Sequence, residues 1–279
     1  VVENNQVVTN KPLVNNASQR SRYPSVSSDG TNIFVVWEAD DIVNGSVQQN
    51  YKIYFAVYDT SGTEVIAPKA ISPEKSSSTS NNGPQIAFNG KNFGIIWDEK
   101  DSLSKKKVVF QAIDTTGNLI GSSITLIGGN VSENYHRIIG NTTDNEWAVT
   151  WYEIGSTVDE IYFAKISNTG TLIGNVTKIV SATTDSRDPS LGFNGSKYRL
   201  VYRNYQSSSL STIEMLDFET TGTLLSQMPL SISLPKDSNG GFGKGVEPVI
   251  VNDGIHFGIA WLDIPVQTVK EVFFSYLCQ

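Results

Sequence analysis

The sequence predicts an all-β fold, a five-bladed β-propeller with four-stranded antiparallel blades. The first observation behind this is repetition. Five segments share one pattern: YPSVSSDGTNIFVVW (23–37), GPQIAFNGKNFGIIW (83–97), YHRIIGNTTDNEWAVTW (135–151), DPSLGFNGSKYRLVY (188–202) and EPVIVNDGIHFGIAW (247–261). Each is a short apolar strand, a tight polar turn and a second apolar strand ending in Trp or Tyr. Self-similarity every 50–60 residues or so, with about four strands per unit, is the signature of a propeller. The second observation is that no apolar period of 3.6 residues persists long enough to make a helix. The third is composition. Only 18% of residues are charged and Ser, Thr, Asn and Gly abound, as a turn-rich chain requires, while 12 Phe, 11 Tyr and 5 Trp can fill the wedges between blades. No single repeat can bury both of its faces, so residues 1–279 are read as one domain.

Blade 1 sets the template. Its A strand, Ser25–Ser28, ends at Asp29-Gly30, a hairpin signal because Gly takes positive φ without steric cost. The B strand, Ile33–Trp37, is apolar throughout, which suits a sheet covered on both faces. Polar residues 38–50 form a loop, Lys52–Tyr58 is strand C, Asp59 to Gly62 turns the chain, and Val65–Ile71 is strand D. The blades span approximately 23–72, 83–127, 135–180, 188–233 and 247–279. Their C strands read KIYFAVY, KVVFQAI, EIYFAKI, TIEMLDF and EVFFSYL. Blade 3 has the longer turn Asn141-Thr142-Thr143-Asp144, and blade 4 replaces the closing Trp by Tyr202. Blade 5 ends after its C strand. Residues 1–22 therefore read as a closing strand and crossover, with Asn5–Thr9 completing the last blade and removing exposed sheet edges.

Composition also limits function. A net charge of −7 excludes a nucleic-acid binder, which needs a basic field; the densest positive cluster is Lys105, Lys106 and Lys107. The single cysteine, Cys278, cannot form an intrachain disulfide. No apolar run reaches the length of a membrane span. Val1 is not a start methionine, so an upstream segment is expected, and six Asn-x-Ser/Thr sites permit an extracytoplasmic location. Two distant histidines do not suggest zinc. Asp40, Asp41, Asp98, Glu99 and Asp101 are a candidate calcium set, although their order is not that of an EF-hand. The Gly-rich stretch 235–246 is no phosphate loop.

In an up-and-down blade the A–B and C–D turns share one face of the disc. Here they are short and repetitive, while the B–C and D–A loops are long and variable. Binding residues concentrate on variable loops of a rigid scaffold, so that second face is the expected functional one. Residues at the entrance of the innermost strands converge there: Tyr23, Gly83, Tyr135 with His136 and Arg137, Arg187 with Asp188, and Glu247. Residues just past strand B form a second ring: Glu38, Asp98, Glu99, Tyr152, Glu153, Arg203 and Asp263. Carboxylates, guanidinium groups and Tyr rings together suit a sugar or peptide pocket. The same groups could instead pair across blade boundaries. Trp37, Trp97, Trp151, Tyr202 and Trp261 are read as blade-to-blade packing.

The repeat resembles the propeller repeats of bacterial secreted proteins and surface lipoproteins, and it lacks the sialidase, WD and kelch signatures. The resemblance implies a noncatalytic extracytoplasmic module that engages a glycan or protein partner. Five-bladed propellers also include glycoside hydrolases, which generally repeat more weakly. On that alternative the candidate catalytic carboxylates are Asp98, Glu153, Asp188 and Glu247.

Overall fold

The computed structural model describes residues 2–3, 6–7, 12, 17–48, 51–73, 80–103, 105–128, 135–178, 183–207, 210–225, 229–233, 246–266 and 269–277. All regular structure among them is β, and the fold is a five-bladed propeller. A hairpin of β1 (Val2–Glu3) and β2 (Gln6–Val7) comes first. Blade 1 contains β3 (Gln19–Ser28), β4 (Asn32–Val43), a short β5 (Ser46–Val47) folded back on β4, β6 (Lys52–Asp59) and β7 (Glu64–Ala70). Blade 2 contains β8 (Ser80–Phe88), β9 (Phe93–Lys100), β10 (Lys106–Ile113) and β11 (Leu119–Gly128). Blade 3 contains β12 (Arg137–Asn141), β13 (Glu146–Glu153), β14 (Glu160–Ile166) and β15 (Leu172–Lys178). Blade 4 contains β16 (Asp185–Phe193), β17 (Lys197–Ser207), β18 (Leu210–Glu219) and a short β19 (Leu230–Ser231). Blade 5 contains β20 (Val246–Asn252), β21 (Phe257–Val266) and β22 (Val269–Leu277). Each sheet is an antiparallel meander in chain order.

Local chemistry explains the turns. Asp29 Oδ1 accepts from the amides of Thr31 and Asn32 at 2.8 and 2.7 Å, which folds the chain through Gly30 at φ 90°. Asn89, Asn194 and Asp253 do the same in blades 2, 4 and 5. In blade 3 Asn141 Oδ1 accepts from Thr143 and Asp144, and Asn145 takes the positive φ. Between strands C and D, Asp59 and Asp114 each accept two amide hydrogen bonds from their own turn.

The core lies between blades. Trp97 packs with Phe34, Phe55 and Val57 of blade 1, and Trp151 with Ile96, Val108 and Phe110 of blade 2. Tyr202 packs with Ile161 and Phe163 of blade 3, and Trp261 with Val201 and Ile213 of blade 4. These four closing aromatics thus reach back into the preceding blade, whereas Trp37, also read as blade-to-blade packing, clusters with Val35, Ala39, Ala56 and Tyr58 of its own sheet. The A strands are innermost and touch one another in order: β3 on β8, β8 on β12, β12 on β16, β16 on β20. Hydroxyls zip them together. Ser25 and Ser27 accept from the Ile86 and Phe88 amides, and Ser190 from that of Ile250.

The N-terminal strand pairs locally. Gln6–Val7 lies against Val2–Glu3, and among the described residues the fifth sheet has three strands and no pairing with it; Asn5, Val8 and Thr9 lie outside those residues. Loop entropy favours such a partner a few residues away over one at the far end of the chain. One face of blade 5 packs on blade 4. The other exposes Val249, Val251, Val272, Phe274 and Tyr276.

Candidate functional site

The entrance of the innermost strands carries a repeated defect. In β3, Arg22 pairs with Glu38 but Ser25 pairs with Val36, so one extra residue is accommodated on the inner strand. The same slip separates Asn82 from Gln85, Arg187 from Ser190 and Val246 from Val249. Each bulge holds an X-Pro pair, and X has positive φ: Tyr23 49°, Gly83 57°, Asp188 53° and Glu247 53°. Proline cannot donate to the ladder, so it suits a bulge. Glycine tolerates this φ, whereas each of the other three costs roughly 1–3 kcal/mol. Blade 3 has Tyr135-His136 instead of X-Pro, and β12 pairs in register from Arg137. The equivalent positions around the entrance are therefore Tyr23, Gly83, Tyr135, Asp188 and Glu247. Two residues further along stand Ser25, Gln85, Arg137, Ser190 and Val249.

On the side of blades 3 to 5 these groups form one electrostatic cluster. Asp188 is almost buried, with Oδ2 3.4 Å from Nη1 of Arg203. Burial pushes its carboxyl pKa up, Arg203 opposes the rise and the charge of Glu247 adds to it. Burial also raises the Tyr135 hydroxyl pKa, helped by Asp188 and Glu247. The Tyr135 ring lies 5.5 Å from that of Tyr152. Burial lowers the Arg137 pKa against the pull of Asp188, and its Nη1 donates to the His136 carbonyl at 2.9 Å. Arg187 is turned to Asp159 and Asp185, at 2.6 and 2.7 Å, and stacks with Arg203 on Tyr205.

On the side of blades 1 to 3 a cavity of about 270 Å³ is lined by Tyr23, Pro24, Ser25, Gly83, Pro84, Gln85 and Arg137. Its wall is fixed through Gly83. The Gly83 amide donates to Oε2 of fully buried Glu38 at 2.8 Å, and Arg22 reaches Oε1 at 2.7 Å. Burial pushes the Glu38 pKa up, and these two partners oppose the rise. The Gly83 carbonyl accepts from Nε2 of His136 at 2.6 Å. Burial drops the His136 pKa to about 4, so the ring is neutral at pH 7 and ties blade 3 to blade 2.

The remaining candidates lie elsewhere. Side chains alternate along a strand. Glu153, two residues past Trp151, therefore returns to the Trp face, where the indole N–H donates to its Oε1 at 3.2 Å. Burial raises its pKa, as does the charge of Glu160. Asp263 has the same parity with Trp261 and is buried; Leu262 occupies the position matching Glu38. Asp98 matches Glu38 in blade 2 and is fully buried. The candidate calcium ligands are dispersed among ion pairs and turns. Asp40 meets Arg20, Asp41 meets Lys52, Glu99 meets Lys107, and Asp101 accepts from loop amides. No group of three or more His, Cys, Asp or Glu able to hold a metal occurs among the described residues. Residues 235–245 and Cys278 lie outside those residues. Sequence reasoning missed the bulge and the Arg187–Tyr205–Arg203 stack. The signal for the first was an X-Pro pair recurring in four copies, with Gly as X in one.

No family model and no curated protein matches the chain. Solved structures do. A thermostable family-43 glycoside hydrolase is 12% identical with a TM-score of 0.50, over 93% of this chain and 90% of that one. A family-43 β-1,3-galactosidase with galactodeoxynojirimycin is 8% identical with a TM-score of 0.52, over 93% and 94%. An exo-β-1,3-galactanase from Phanerochaete chrysosporium with galactose is 9% identical with a TM-score of 0.52, over 92% of this chain and 60% of that one. These are likenesses of fold. They correct the expectation of a noncatalytic module, which rested on setting this strongly repeating chain apart from the hydrolase propellers: the chain is similar to such propellers over nearly its whole length.

Proposed function

We propose that this chain hydrolyses glycosidic bonds in an extracytoplasmic setting, with Asp188 and Glu247 as its working carboxylates. The carrying observation is that these two occupy the same strained bulge position in neighbouring blades, within one cluster with Tyr135, Arg137 and Arg203. Backbone strain of this kind gathers at active sites, where it fixes side-chain direction. Asp188, whose carboxyl burial shifts upward, suits the acid that protonates the leaving oxygen. Glu247 is exposed and suits the carboxylate that acts at the anomeric carbon, directly or through water. The likeness in fold to glycoside hydrolases supports the reading. The test is a hydrolysis screen over neutral and acidic oligosaccharides, with Asp188→Asn and Glu247→Gln beside the wild type. Each substitution is expected to lower kcat by about 10²–10⁴-fold without shifting the melting temperature. Full turnover in both variants, or none by the wild type on any substrate, overturns the proposal.

A further inference from the structure

We propose that the cavity between blades 1, 2 and 3 is a subsite for the carboxylate-bearing ring of a uronic acid, with Arg137 as its anion-recognising residue. The inference rests on the hydrolase reading above and names a substrate class for it.

Three features converge. The first is charge placed by substitution. At the inner position where blades 1, 2, 4 and 5 carry Ser25, Gln85, Ser190 and Val249, blade 3 carries a guanidinium. It is also the blade without the X-Pro bulge, so Arg137 enters the ladder in register, and it lines the cavity. Burial costs a guanidinium solvation. The charge of Asp188 already offsets part of that loss, and the planar fork can in addition take a carboxylate presented in the cavity.

The second feature is the apolar part of the lining. Tyr23, half exposed, and the rings of Pro24 and Pro84 present flat apolar surface. The C–H face of a pyranose stacks on such a surface, while a bare inorganic anion would leave it unused. Tyr23 is held in its positive-φ conformation with the Arg22 guanidinium 5.5 Å from its ring. Ser25 and Gln85 add neutral polar atoms for hydroxyl groups.

The third is rigidity and position. Gly83 uses its N–H on Glu38 and its carbonyl on His136, so this part of the lining is anchored from both neighbouring blades. Arg137 lines this cavity and also senses the charge of Asp188. A sugar bound here would therefore adjoin the one presented to the carboxylate pair.

Calorimetric titration of the full chain with D-glucuronate and D-galacturonate, their methyl esters, and glucose and galactose tests the inference. The acids are expected to bind at least about tenfold more tightly than the esters or neutral sugars, as a charge-assisted hydrogen bond provides. Arg137→Gln is expected to remove that preference. Tyr23→Ala is expected to weaken acid and ester alike and keep it. Equal affinity of the wild type for acid and ester overturns the proposal even if the Arg137 variant does not fold, and so does a preference that survives Arg137→Gln. Acid preference without hydrolysis of any glycan supports this subsite while defeating the hydrolase reading. Hydrolysis of neutral glycans with no acid preference does the reverse.

Discussion

Single residues in this protein act by where the repeat leaves them. His136 stands where the other blades have proline and ties two blades together through one hydrogen bond to Gly83. Unfolded, its imidazole titrates near the ordinary 6.5; folded, burial holds it near 4. Between those values the unfolded chain binds a proton that the folded chain refuses. Stability is therefore full above pH 6.5, falls as the pH drops toward 4 and levels off below. The lowered pKa corresponds to a loss on the order of 3 kcal/mol. Urea unfolding at pH 7 and pH 4.5 should show this fall in the wild type and a smaller one in His136→Gln, which keeps a donor but cannot titrate. An identical fall in both proteins would mean that His136 is not the source of the acid sensitivity. The replacement of proline was legible in the sequence, because the other four copies carry Pro24, Pro84, Pro189 and Pro248 at this position. The partner was not, because Gly83 is 53 residues away and belongs to another blade.

At the scale of the element, turns and closing aromatics were legible because their causes are local. An Asp or Asn that accepts two amides of its own turn, and an indole at the end of an apolar strand, announce themselves in a short window. The bulge did not, since Tyr, Asp and Glu at positive φ run against the steric rule from which strands are read. Glu153 and Asp263 were grouped with Glu38 although alternation puts them on the Trp face, an error of one residue in register. Close approach between inner strands has its own marker. A Cβ at Gly140 would lie 1.8 Å from the Phe88 carbonyl oxygen, where β12 meets β8. Gly140→Ala is expected to destabilise by about 1–3 kcal/mol as the two strands part. Gly140 is not among the positive-φ residues, so the effect is one of contact rather than backbone strain. Denaturant unfolding at constant m checks it, and an unchanged midpoint would mean that the blades part freely there.

The whole molecule is assembled by each blade reaching back to the one before, and this direction leaves its two ends unlike. Blades 2 to 5 bury their closing aromatic in a predecessor; Trp37 of blade 1 packs with Ala39, Ala56 and Tyr58 of its own sheet. Repetition made the blade count and the stacking order readable. It carried no information about the ends, which have no copy to compare with. At the far end Val272 is 75% and Phe274 67% exposed, on the face of blade 5 turned away from blade 4. Exposed apolar surface of this extent promotes association rather than folding stability. The double substitution Val272→Lys and Phe274→Lys is accordingly expected to shift the unfolding free energy by no more than about 0.5 kcal/mol, as for surface sites. It should also reduce binding of an apolar dye and any self-association seen by sedimentation. A loss above about 2 kcal/mol would instead mean that this face is buried in solution, as core substitutions of this kind require. Blade 5 would then lie against blade 1, with the ring held shut by side-chain packing rather than by a shared strand.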